Sequence, residues 1–213
     1  MSTQSHWIEQ YKKRKAFWMH GGNSKQPHAL LTSGKHSNGF FNSGLITEDP
    51  KLLDAAARKL CELLKEQPFC MINRVVGPAM GAITLAHDVG RLTDAFTAYA
   101  EKTEIDGKKA MVFTKSRVLP NENILLAEDV LSTGGSVELL SKAAEDAGGV
   151  VLPFVLALVN RSGLTHVGDR RIIALVDTEL PMWEEGECPL CKKGSKAIRP
   201  KGENWALLNK DYG

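Results

Sequence analysis

The segment NILLAEDVLSTGGSVELL, Asn123 to Leu140, runs from an apolar stretch into two adjacent acids, then a Thr-Gly-Gly turn, then helical spacing. A short apolar run bounded by turn residues predicts a buried strand, and the spacing after Ser136 predicts a helix. Strand–turn–helix units repeated along a chain build a parallel sheet covered by helices. The alternation begins at about Asp49. Asp49-Pro50 starts a helix with Leu52, Leu53, Ala56, Leu60, Leu63 and Leu64 on one face, stopped by Gln67-Pro68. A strand at Arg74–Val76 enters the turn Gly77-Pro78-Ala79-Met80-Gly81, and a helix follows to about Leu92. Ala95–Ala100 and Ile124–Ala127 read as strands, and Ser136–Ala147 as a helix closed by Gly148-Gly149. Val150–Val159 and Arg171–Val176 are two more strands. The expected fold class is α/β, with a central, mostly parallel sheet flanked by helices.

Residues 103–121 are polar, lysine-rich and without period, which predicts a mobile loop acting as a lid. The two ends differ from the middle. Residues 1–48 open with an amphipathic helix carrying Trp7, Tyr11 and Trp18, and residues 180–213 are rich in Pro, Gly, Lys and Cys. A parallel sheet binds ligands outside the carboxyl ends of its strands. The two ends are therefore expected to form a hood there, over an α/β core spanning 49–179.

With 213 residues the chain is most simply one domain. A formal net charge of +2 argues against a nucleic-acid partner. No apolar run is long enough for a membrane helix, and the first residues carry no secretory pattern. Four scattered cysteines point to a reducing compartment, the cytoplasm.

The chemistry concentrates in EDVLSTGGS. Ser132, Thr133, Gly134, Gly135 and Ser136 lie between strand and helix, where several backbone N–H groups point outward and glycine permits close approach. That arrangement binds phosphate. Glu128 and Asp129 have the wrong sign for a phosphate; they suit sugar hydroxyls, or Mg²⁺ held through water. The competing interpretation is a plain strand–turn–helix capped by Asp129. The chain contains neither G-x-x-x-x-G-K-[ST] nor G-x-G-x-x-G after a strand.

EDVLSTGGS closely resembles the phosphoribosyl-pyrophosphate loop of the type I phosphoribosyltransferases. The resemblance implies that fold, with Glu128 and Asp129 facing the ribose and Ser132 to Ser136 holding the 5′-phosphate. Gly77, Pro78, Ala79 and Met80 look like the family's pyrophosphate loop, although Gly81-Ala82 stands where the family often has two glycines. HALLTSGKHSNGFFN, His28 to Asn42, resembles the acceptor segment of orotate phosphoribosyltransferases. It implies base contacts from Ser33, Gly34, Lys35, Phe40 and Phe41, joined by Ser132 and by Arg161 at the end of VLPFVLALVNR. Asn160 stands where the family commonly has Asp. Tyr99-Ala100-Glu101-Lys102 fits the entry to the family's mobile loop, bringing Lys102 to the pyrophosphate. Lys108 and Lys109, with Lys115 and Arg117, keep that loop cationic.

The implied activity is transfer of a phosphoribosyl group from phosphoribosyl pyrophosphate to a nucleobase, orotate first among candidates. Lys102, Asp129, Lys108 and Lys109 are its expected catalytic groups. Mg²⁺ would arrive mainly through the substrate, with no ion held directly by the protein. A homodimer with shared active sites is implied by the same resemblance. The same chemistry on another base, and a non-catalytic sensor of phosphoribosyl pyrophosphate, stay open as alternatives. Cys188-Pro-Leu-Cys191 looks like one knuckle of a zinc ribbon. A structural zinc needs four ligands, and no second CxxC or HxxxH exists. The pair is therefore expected to be a structural or intermolecular feature of the tail.

Overall fold

Strands with runs of Val, Leu, Ile and Ala, each followed by a helix, place most of the chain in one parallel sheet. The computed structural model describes residues 2–68 and 70–212. Helix α1 (Thr3–Lys13) precedes strands β1 (Phe17–Met19), β2 (His28–Leu30), β3 (His36–Ser37) and β4 (Gly39–Phe41). Helices α2 (Gly44–Thr47) and α3 (Pro50–Lys65) lead to β5 (Arg74–Pro78), α4 (Ile83–Thr93), β6 (Phe96–Ile105) and β7 (Lys108–Val112). Then come β8 (Asn123–Leu131), α5 (Gly135–Asp146), β9 (Val150–Asn160), β10 (His166–Val167) and β11 (Arg170–Asp177). The chain finishes with β12 (Met182–Trp183), α6 (Pro189–Lys192), β13 (Ala197–Ile198) and α7 (Glu203–Leu208).

The main sheet has seven strands in the order β10-β11-β9-β8-β5-β6-β7. Its interior pairings are parallel, and the edge pairs β10–β11 and β6–β7 are antiparallel. β8 and β9 lie at its centre with helices on both faces, which is why each is a near-continuous apolar run instead of an alternating one. Helix α3 starts as the sequence predicts. Pro50 occupies its first turn, and the Asp49 carboxylate accepts from the N–H groups of Lys51 and Leu52 at 3.0 and 3.3 Å. Its buried face is Leu53, Ala56, Ala57, Leu60, Cys61 and Leu64. Each leucine there contributes roughly 1.5–3 kcal/mol by leaving water.

Three sequence expectations need correction. Residues 103–121 are not an aperiodic loop. β6 runs on to Ile105, turns at Asp106-Gly107 and returns as β7, pairing Lys102 with Met111 and Ile105 with Lys108. Polar edge strands lack the apolar alternation that would reveal them. After β7, Ser116 accepts from the Tyr99 N–H and donates to the Tyr99 carbonyl, and Val118 is buried in the core. Trp18 belongs to β1, not to α1; Trp7 and Tyr11 alone are the buried face of that helix. Finally, β8 extends past Ala127 to Leu131, so the two acids lie within the strand.

Both ends of the chain supply a small sheet in the order β12-β3-β2-β13. It packs Trp18, Ala29, Leu31 and Leu208 into a separate apolar cluster, with Phe40 and Trp205 at its side. This hood does not include α1, whose Trp7 and Tyr11 join the main core. His28, His36, Cys188 and Cys191 meet inside it. Among the described residues, no helix is long and apolar enough to cross a membrane.

Candidate active site

Three neighbouring strands end at the same edge. β8 delivers Glu128 and Asp129, β5 delivers Gly77 and Pro78, and β6 delivers Lys102. Successive residues of a strand face opposite sides of the sheet, so the two acids diverge. Glu128 is 6% exposed, opposite Ala157, while Asp129 is half-buried. Burial pushes the Glu128 carboxyl well above its usual range, and the neighbouring Asp129 adds to this. The Asp129 N–H, donating to Glu128 Oε1 at 3.2 Å, and the charge of Lys102 pull the other way. Lys102, on the strand beyond β5, thus favours the charged form of Glu128.

The turn after β8 has the form a phosphate site needs. Gly134 has φ +81°, a conformation that favours glycine, and it opens α5. Ser132, Thr133, Gly134 and Ser136 line one recess with Glu128, Val130, Leu131 and Val137. Gly135 is the first residue of the helix, where unpaired N–H groups and the helix dipole favour an anion. Larger clefts of about 420 and 480 Å³ open beside α1 on the outer surface, and neither contains a residue expected to act.

The second turn packs against the first. A Cβ on Gly81 would lie 2.5 Å from Asp129 Oδ2, so any side chain there would push the carboxylate aside. A Cβ on Gly77 would lie 2.8 Å from the Ala82 carbonyl oxygen. The Ala79 N–H donates to the Ala100 carbonyl at 2.8 Å, tying the turn to β6, and the Ala79–Met80 peptide is cis. Met80 is 85% exposed beyond it. The role of Gly81 was invisible in the sequence, where it reads as an ordinary turn glycine.

The acceptor-segment residues are not equivalent. Ser33 and Gly34 are exposed and Lys35 half-buried in the turn between β2 and β3, where the Leu31 N–H donates to the Lys35 carbonyl and the Gly34 N–H to the Leu31 carbonyl, with Gly34 at φ +91°. Lys35 Nζ lies 3.1 Å from Glu184. Phe40 and Phe41 face opposite sides of β4. Phe40 is half-buried against Trp205, whereas Phe41 stacks on Phe17 at 4.3 Å and belongs to the main core. Phe41 is thus a core side chain and cannot stack on a base.

Arg161 is also turned inward. It is 1% exposed, its Nη1 donates to the Gly39 carbonyl at 2.9 Å, and its Nη2 donates to Ser37 Oγ at 2.7 Å. Burial lowers its pKa to about 10. Nε has no hydrogen-bond partner among the described residues. The guanidinium fastens the hood to the end of β9, and Ser37 is the partner that sequence inspection did not single out. Asn160 is fully buried and bonds Asp177, Ser162 and the Leu164 carbonyl, an arrangement that shapes the start of the next loop. Lys108 and Lys109 are exposed on β7 near the hairpin tip, away from the acid pair.

No protein-family model matches the chain. Known proteins do. The chain is 36% identical over 174 residues to the orotate phosphoribosyltransferase of Heliobacterium modesticaldum, covering 81% of this chain and 88% of that protein. It is 36% identical over 168 residues to an orotate phosphoribosyltransferase of Thermus thermophilus, covering 78% and 88%. Among solved structures, orotate phosphoribosyltransferase from Aeropyrum pernix superposes with a TM-score of 0.60 at 20% identity, covering 79% and 92%. An adenine phosphoribosyltransferase from Thermoanaerobacter pseudethanolicus gives 0.53 at 17%, covering 65% and 88%, so the fold itself does not choose the base. The sheet, the acid-bearing strand with its Thr-Gly-Gly turn, and these identities agree: the chain belongs to the orotate phosphoribosyltransferase family.

Proposed function

We propose that this protein transfers the 5-phosphoribosyl group of phosphoribosyl pyrophosphate to orotate, releasing pyrophosphate. The convergence of Glu128-Asp129, the Ser132–Ser136 turn, the Gly77–Gly81 turn and Lys102 at one sheet edge carries this reading. The turn after β8 would hold the 5′-phosphate through backbone N–H and hydroxyl donors. The acids on β8 would accept hydrogen bonds from the ribose hydroxyls. That leaves C1 and its diphosphate over the ends of β5 and β6.

In the reaction the bond from C1 to the diphosphate oxygen breaks and its electron pair leaves with pyrophosphate. A ring nitrogen of the base then donates the pair that forms the new bond to C1, and the proton that nitrogen carried passes to water or to the departing pyrophosphate. Lys102 stabilises charge on the leaving group, and Asp129 lies near the sugar that becomes positive. Mg²⁺ arriving with the substrate would supply further charge neutralisation there. Glu128 and Asp129 are hard oxygen donors suited to that ion through water. The Ser33-Gly34-Lys35 turn and the half-buried Phe40 would meet the base from the hood. A homodimer in the cytoplasm is the assembly and compartment consistent with this family reading.

The test is pyrophosphate release with Mg²⁺, phosphoribosyl pyrophosphate and, separately, orotate, uracil, adenine and hypoxanthine. Turnover is expected with orotate. Turnover with a purine alone would overturn the choice of base, and silence with all four bases would overturn the transferase reading.

A further inference from the structure

The geometry points to a structural zinc site in the hood, with His28, His36, Cys188 and Cys191 as its four ligands. One ligand atom from each lies within 4.8 Å of all the others. His28 Nε2 is 3.0 Å from His36 Nδ1 and 3.5 Å from each sulfur, and Cys191 Sγ is 3.2 Å from His36 Nδ1. With Zn–N of about 2.0 Å and Zn–S of about 2.3 Å, a tetrahedron has N···N edges of ~3.3 Å and N···S edges of ~3.5 Å. The ligand atoms therefore already stand at the corners of such a site.

The hydrogen bonds around the cluster aim it inward. Ser195 Oγ donates to the Gln26 carbonyl at 2.6 Å, which uses its only proton. His28 Nδ1, 2.8 Å from the same oxygen, must then be the donor in that contact. The remaining nitrogen, Nε2, carries a lone pair that faces the three other ligand atoms. A hydroxyl fixing the far nitrogen of a ligating histidine is the usual outer support of a metal site. Without an ion, one lone pair would face three possible donors in a pocket where His28 and Cys188 are 0% exposed and His36 is 4% exposed. No pair of these cysteines forms a disulfide.

The site joins parts of the chain that are remote in sequence. His28 and His36 stand on the adjacent strands β2 and β3, while Cys188 caps the start of α6 and Cys191 lies within it. Spacing alone gives no HxxxH because the two histidines meet through strand pairing. Two imidazoles and two thiolates in a closed tetrahedral set favour Zn²⁺ over hard cations such as Mg²⁺. No open position remains for a reacting water, so the ion's role is structural: it pins the turn Thr32–Lys35 and the C-terminal segment to each other.

Protein purified without chelators, with a non-chelating reductant, is expected to hold one zinc per chain by elemental mass spectrometry. Chelator-stripped protein should take up Co²⁺ and develop the intense visible bands of a tetrahedral thiolate–imidazole site. The variant Cys61→Ser/Cys70→Ser should keep its zinc, and Cys188→Ser/Cys191→Ser should lose it. Should that second variant fail to fold, the cobalt spectrum of the stripped natural chain decides. Sub-stoichiometric zinc with no tetrahedral cobalt spectrum overturns the site, as does a Cys188–Cys191 disulfide in the freshly purified protein. None of these readouts depends on turnover or on the acceptor base.

Discussion

At the scale of single residues, Glu128 is held in the fold at a cost. It is nearly inaccessible and sits beside a second acid, and both effects raise its pKa. The sign follows from linkage. In the unfolded chain Glu128 ionises near its ordinary value of 4.5; in the folded protein it holds its proton to higher pH. Below that value both states are protonated and nothing is lost. As pH rises above it, the unfolded state releases its proton first and the folded state is progressively disfavoured. Glu128→Gln keeps the shape and the acceptor for the Asp129 N–H but removes the titration. It is expected to match the natural chain in acid and to exceed it at neutral pH by on the order of 1 kcal/mol. The same variant should bind phosphoribosyl pyrophosphate more weakly. Thermal unfolding across pH checks the first part; equal stability at neutral pH would remove the claim that Glu128 is held there at a cost.

At the scale of elements, the decisive contact is between the turn after β5 and strand β8. Gly81 meets the Asp129 carboxylate so closely that any side chain must displace it. Gly81→Ala should leave folding nearly unchanged, since the turn is exposed, yet lower turnover at least about tenfold, or ~1.4 kcal/mol in the barrier. Steady-state kinetics beside circular dichroism separates the two effects, and natural turnover in a folded variant would show that the contact is slack. This contact also marks what the sequence could reveal. The alternation of apolar runs and helical spacing located β5, β8, β9, β11, α3, α4 and α5, because those elements bury one face or two. It found the start of β6 at Ala95–Ala100 but lost the rest of that strand and its return as β7, whose exposed edge carries Lys108 and Lys109 with no buried stripe. It ended β8 too early because acids normally mark a boundary, whereas Glu128 is buried within the strand. The assignment of Phe41 failed at the one-residue step of a strand, where neighbouring rings face opposite sides. Arg161 was found at the correct end of β9, but its direction depends on Ser37 and Gly39, more than a hundred residues earlier.

At the scale of the whole molecule, the hairpin is the element that a single copy explains least well. β7 is the edge of the sheet, three strand spacings from β8, or about 14 Å. Lys108 pairs with Ile105, so it also lies three residues beyond Lys102 along the hairpin, roughly 10 Å further. Neither Lys108 nor Lys109 spans that gap to its own acid pair, while Lys102 at the hairpin root is already coupled to Glu128. If the tip lysines serve catalysis, they reach the site of a second copy, as the family resemblance implies. Complementation tests this directly. Asp129→Asn damages the acid pair, and Lys108→Ala/Lys109→Ala damages the hairpin; each alone is expected to lose at least about tenfold in turnover, ~1.4 kcal/mol. Mixed and allowed to exchange subunits, the two variants should recover activity that neither has alone, because one hybrid site then combines an intact acid pair with an intact hairpin. Light scattering on the same mixture establishes whether a dimer is present. A dimer without recovery would return the lysines to their own subunit, and full activity in the double-lysine variant would remove them from the reaction altogether.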